Sequence, residues 1–170
     1  SWGKKRQTSE SEKLYAAAIE VARRPVFYKD FGVQDSVDGR FDALSLVVIL
    51  VMRRLKNSGD EGKEISQQLF DSMFADMDLS LREMGAGDIG VSKRVRVMAE
   101  AFMGRLEAYV TALDNDDRTE LAEALQRNLF RDDKAIDPLT NGAVDYVFAL
   151  AKEITSLEAG SLLAGHLDLS

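Results

Sequence analysis

The chain has 170 residues, 45% of them hydrophobic and 30% charged, and 22 basic against 29 acidic side chains give a formal net charge of −7. That length and balance suit one folded domain instead of a disordered tail, and the acidity disfavours sequence-independent binding to nucleic-acid phosphates. Cys is absent and His166 is the single histidine, which excludes disulfides, thiolate metal sites, iron–sulfur clusters, Cys nucleophiles and multi-His centres within one chain.

Proline occurs twice, at 25 and 138, and long stretches without Pro or Gly favour helices. Residues 1–11, with Lys4-Lys5-Arg6, read as a flexible basic N-terminus, and 12–170 as a single helical domain. The first helix runs from Ser11 or Glu12 to Arg24, where Pro25 stops it. Phe27, Tyr28, Phe31 and Val33 form an aromatic connection that reads as a lid over one end of the core. The second helix starts near Ser36 or Asp38 and ends around Asn57 to Gly59. It is apolar nearly all round between Phe41 and Leu55, so it should be the central helix of a bundle.

The third helix spans about Glu61 to Met84, with a core stripe of Ile65, Leu69, Met73, Met77 and Leu81. Gly85-Ala86-Gly87 ends it. The fourth helix, capped by Asp88 or Ser92, carries Val91, Val95, Met98, Phe102, Leu106, Tyr109 and Leu113 on its core face. A fifth runs from Arg118 to Phe130. Pro138 is placed to open a sixth that reaches Leu157, and the tail from Leu162 to Leu169 packs back on the body. The expectation is an all-α compact bundle of six or seven helices. The longest apolar run, Leu44 to Met52, is broken by Ser45 and would cover about 13 Å as a helix against about 30 Å of hydrocarbon. The start also has no apolar signal core. The expected location is cytoplasmic, or peripheral at the inner membrane.

The chemical motifs are weak. Asp76-Met77-Asp78 and Asp114 to Asp117 suggest a carboxylate pair for Mg²⁺, but residues two apart do not face each other on a helix, and the second group sits at a helix end. Gly85 to Asp88 has no strand before it, so a nucleotide fingerprint is not met. The six Met residues fit either core packing or an adaptable binding surface. Opposite the core stripe of the fourth helix lie Val97, Ala101, Gly104 and Ala108, bordered by Lys93 and Arg96. Such small residues admit a second helix closely, either one of this domain's own or one from a partner.

Arg24-Pro25, Phe27-Tyr28, Gly32-Val33 and Asp38-Gly39-Arg40-Phe41-Asp42 form one set of blocks. Leu69-Phe70-Asp71, Met73-Phe74, Asp76-Met77-Asp78, Leu81 to Gly85, and Gly87-Asp88 form another, continued by Val91, Lys93-Arg94, Met98, Glu100-Ala101-Phe102 and Gly104-Arg105. Together they resemble the ubiquinol–cytochrome c chaperone family, in its lone-domain bacterial form, over residues 14–130. The chain departs from the pattern at Val47, where many members carry His.

The resemblance implies a non-enzymatic, all-α respiratory-chain assembly factor without a cofactor, catalytic residue or metal. It guides cytochrome b into the ubiquinol–cytochrome c reductase (bc1) complex. Its implied partners are cytochrome b or its nascent chain, with the ribosome or inner-membrane surface nearby, and no specific nucleic acid or small-molecule substrate. Candidate partner-binding residues are Lys93, Arg94, Arg96, Val97, Ala101 and Gly104 on the fourth helix. Asp76, Asp78, Arg82, Glu83, Asp88 and Arg40 are a second candidate binding surface, and all of these but Asp88 read alternatively as one ion-pair network at an end of the bundle. An all-α adaptor for another complex and a helical Mg²⁺-dependent enzyme are the alternative readings.

Overall fold

Phe41 to Val51 is buried without a break, and the rest of the fold is arranged around that fact. In the computed structural model the described residues are 9–85 and 87–170. The expected flexible basic stretch falls largely on 1–8, and Ala86 belongs to the expected glycine-rich turn; both lie outside the described residues. The described chain forms seven α-helices: α1 (Glu10–Ala22), α2 (Val37–Leu55), α3 (Gly59–Glu83), α4 (Asp88–Asp114), α5 (Arg118–Asn128), α6 (Ala143–Thr155) and α7 (Ala159–Leu163).

α2 is the axis. α1, α3, α4 and α6 pack on it, while α5 packs on α4 and α6. A helix that is apolar all round must be covered all round, and Leu46, Val47, Val48, Ile49 and Val51 are all 0% exposed. Ser36 caps α2 by accepting from the Gly39 N–H at 3.1 Å. Gly39 is required there: a Cβ would stand 1.8 Å from the Gln34 carbonyl oxygen. Ser9 and Asp117 cap α1 and α5 in the same way. α3 ends at Gly85, whose φ of +87° is the left-handed turn that glycine favours.

The connection after α1 begins as a π-helical turn, Val26–Asp30, closed by the Phe31 N–H on the Val26 carbonyl at 3.0 Å. Phe27 and Phe31 are buried and pack edge-on against Tyr146 of α6 at 5.5 and 5.4 Å. This is the expected aromatic lid.

Pro138 does not open α6. It sits in a turn in which Asp137 Oδ1 accepts from the Leu139 N–H. α6 begins at Ala143, whose N–H is taken by the Asn141 side chain at 2.9 Å, after Gly142 at φ +91°. Asn and Gly form a stronger local start signal than a proline five residues upstream. No helix of the described residues is long and apolar enough to cross a membrane.

Candidate functional site

α4 is 27 residues long and carries two different faces. Val91, Met98, Phe102 and Tyr109 point into the core, at 1%, 6%, 0% and 0% exposure. The small-residue stripe lies on a flank, about 110° round the helix from that face: Val97 is 55% exposed, Gly104 is exposed and Ala101 half-buried. A Cβ built on Gly104 would meet nothing within 4 Å. The described residues leave this stripe open at Val97 and Gly104, whereas Ala108, its fourth member, is half-buried and packs against the core. Lys93 and Arg96 border it, exposed and without an ion pair among the described residues. Arg94 turns to the other flank and pairs with Asp38 at 3.2 Å.

Of the residues expected as one ion-pair network, Arg40, Asp76, Asp78, Arg82 and Glu83, only Asp78 and Arg82 pair with each other. Helical geometry separates Asp76 from Asp78 by about 200°. Asp76 accepts from the Tyr15 hydroxyl at 2.5 Å, tying α1 to α3. Burial first, and the Asp76 carboxylate second, push the Tyr15 hydroxyl far above its ordinary value. Asp78 instead accepts from Arg82 Nε at 2.6 Å, and Arg82 also pairs with Asp88. Arg40 pairs with Asp35 at 2.8 Å.

Arg40, Asp76 and Glu83 share a cleft of about 840 Å³ between α1, α2 and α3. Met77 also lines that cleft and is half-buried against the core, so it is the edge of the expected stripe, whose Ile65, Leu69, Met73 and Leu81 are buried. The acids considered for Mg²⁺ are engaged otherwise, Asp114 with Arg53 at 2.9 Å and Asp117 as a helix cap. Among the described residues no three His, Asp or Glu side chains are gathered as metal ligands.

The polar centre that sequence reasoning missed lies inside. Asp42 on α2 has a side chain 0% exposed, with Arg105 of α4 at 2.8 Å and Arg131, beyond α5, at 2.7 Å. Arg105 also stacks over the Phe41 ring at 5.3 Å. Burial pushes the Asp42 carboxyl above its ordinary value, and the bond from Arg131 and the charge of Arg105 offset this only in part. Nearby, the buried Tyr109 hydroxyl has no hydrogen-bond partner among the described residues, and burial raises it well above its ordinary value. A signal was present: Arg105 falls on the 98–102–105–109 core spacing, and Asp42 is the lone charge in an apolar run. A charge in a core position asks for an opposite charge nearby.

Taken together, the helical core, the paired acids and the uncovered α4 face define an all-α protein whose open features are helix faces and clefts between helices. A family model described as Ubiquinol-cytochrome C chaperone matches residues 29–169, and the chain belongs to that family. The match begins after α1 and runs through α6 and α7, where the sequence blocks led to the expectation of 14–130.

Ubiquinol-cytochrome-c reductase complex assembly factor 1 of Xenopus laevis is 26% identical over 155 residues, 89% of this chain and 75% of the frog protein. The Drosophila melanogaster protein of the same description is 26% identical over 125 residues, 71% of this chain and 48% of the fly protein. The crystal structure of the Cbp3 homolog from Brucella abortus superposes with a TM-score of 0.83 at 34% identity, over 95% of this chain and 88% of that one. Val47, at the position where the family resemblance leads one to look for His, is fully buried in α2.

Proposed function

We propose that the chain is a non-enzymatic chaperone that holds an apolar segment of cytochrome b during its entry into the ubiquinol–cytochrome c reductase complex. Family membership and the descriptions of the frog and fly relatives support the complex as the destination. The observation that carries the binding mode is the exposure of Val97 and Gly104 on the small-residue stripe of the 27-residue α4.

A membrane-protein client exposes apolar helices before insertion. A flat stripe of small residues lets such a helix approach to short interaxial distance. Lys93 and Arg96 at one end would meet anionic groups of the client or of the membrane surface. Arg94, held by Asp38, would steady that end of α4.

The α3–α4 turn is the second part of the proposed surface. Met84 and Ile89 are 63% and 88% exposed there, next to Arg82, Glu83 and Asp88, and Asp78 holds Arg82 in place. The cleft edged by Arg40 and Asp76 adjoins it. The protein would work in the cytoplasm, close to the inner membrane and the emerging client.

Photoreactive residues placed at Val97, Ala101 and Gly104 in cells test this. Cytochrome b should be captured from these positions and not from Asp133 on the α5–α6 connection. Equal capture from Asp133, or no capture from α4, would remove the proposal.

A further inference from the structure

A second uncovered surface lies on the other flank of α4, where α3 and α4 diverge over the C-terminal end of α2. The groove holds about 540 Å³. Its floor is apolar: Met52 of α2, Phe70 of α3, and Leu106 and Val110 of α4, all half-buried. Met103 stands at the lip, 52% exposed. Lys63, Gln67 and Phe70 line one wall and Met103, Leu106 and Val110 the other. The first and last residues of each set are seven helical steps apart, about 10 Å or two turns.

The charges lining the groove are mostly basic, Arg53, Lys56 and Lys63 against the acidic Glu107. α2 and α3 join through a short turn, so Lys56 and Lys63 stand at the same end, beside Arg53. Arg53 is paired with Asp114, whereas Lys56 and Lys63 make no ion pair among the described residues. On a molecule of net charge −7, two unpaired lysines closing an apolar groove reverse the local sign. The far end, around Phe70 and Met103, is apolar.

We infer that this groove takes two turns of an amphipathic helix from a partner protein. Apolar residues of that helix, spaced i, i+3 or i+4, and i+7, lie on the floor, and its acidic C-terminal end meets Lys56 and Lys63. Helix-in-groove docking uses that spacing. Both acidic side chains and the negative end of a helix dipole favour the lysine end, which sets the direction of the bound helix. An acyl chain with an anionic head shares the chemistry, but sites for such ligands enclose most of the molecule, and this groove is open along its length.

The test uses the full chain, isotopically labelled, and a synthetic amphipathic peptide of about four helical turns with Glu in its last turn. The same peptide with Glu in its first turn and decanoate serve as competitors. Amide shifts should concentrate on Lys56, Lys63, Phe70, Met103 and Leu106. The exposed double variant Lys56→Glu/Lys63→Glu should bind about tenfold more weakly, as expected for losing two surface charge contacts. The peptide with Glu in its first turn should also bind several-fold more weakly. Equal binding of the two peptides, shifts elsewhere, or no binding would overturn the assignment. Decanoate displacing the peptide from the same residues would show an acyl-chain site and overturn it as well. None of these outcomes bears on capture of cytochrome b at Val97, so the two proposals fail separately.

Discussion

Asp42 and Arg105 carry the largest single-residue consequence of the fold. Asp42→Asn leaves the Arg105 guanidinium, 9% exposed, without its counter-charge, which should cost about 3–5 kcal/mol, a large share of a typical domain's stability. Chemical denaturation compared with wild type checks this. Phe102→Asp should unfold the domain, since it puts an unpaired carboxylate at a fully buried position. Because Met77 borders the open cleft, Met77→Asp should lower the melting temperature while circular dichroism stays native.

The tyrosines give a pH test at the same scale. Tyr15 and Tyr109 have ordinary values of 10.0 and are raised in the fold. The unfolded chain therefore binds fewer protons than the native one above about pH 10, and stability contributed below that pH is lost as pH rises further. Tyrosinate absorbance should appear late and together with unfolding. A normal titration of all four tyrosines in the folded state would contradict the burial described. Side-chain pairing was the least legible level. The stripe rule says which way Arg105 points, but Arg131 lies 89 residues from Asp42, and no local pattern brings them together.

At the scale of elements, α4 shows what a sequence tells and what it leaves open. Its period of 3.6 placed Met98, Phe102 and Tyr109 inward, as found. It also showed a second stripe, but whether this domain or a partner covers that stripe depends on where α5 and α6 go. Gly104→Leu separates stability from binding. Nothing stands within 4 Å of the added Cβ, and glycine inside a helix costs about 0.5–1 kcal/mol relative to alanine. The variant should melt no lower than wild type yet lose cytochrome b capture in the crosslinking assay. A drop in melting temperature would mean that the stripe is packed in the native protein. Arg96→Glu should weaken capture by no more than about 1 kcal/mol, the range of an exposed charge.

The starts of α2 and α5 were legible at Ser36 and Asp117, whereas the cap expected of Asp88 on α4 is absent: Gly87 is the N-cap and no side chain bonds there. The start of α6 was misplaced because Pro138 is permitted at a first turn but does not by itself nucleate one. Asn141 and Gly142 supply the local geometry that does.

At the scale of the molecule, the run from Phe41 to Val51 made the architecture readable, because so many consecutive apolar residues on a helix demand neighbours on every side. The candidate site was less readable, since binding faces and solvated faces carry similar residues and differ only in what surrounds them. The central claim is that this protein serves assembly of the ubiquinol–cytochrome c reductase complex. Its most direct test is the amount of assembled complex in cells in which the gene is deleted, resolved on native gels beside the other respiratory complexes. This complex should be selectively lost in the deletion strain and restored by the wild-type gene. A normal level of assembled complex in the deletion strain would contradict it.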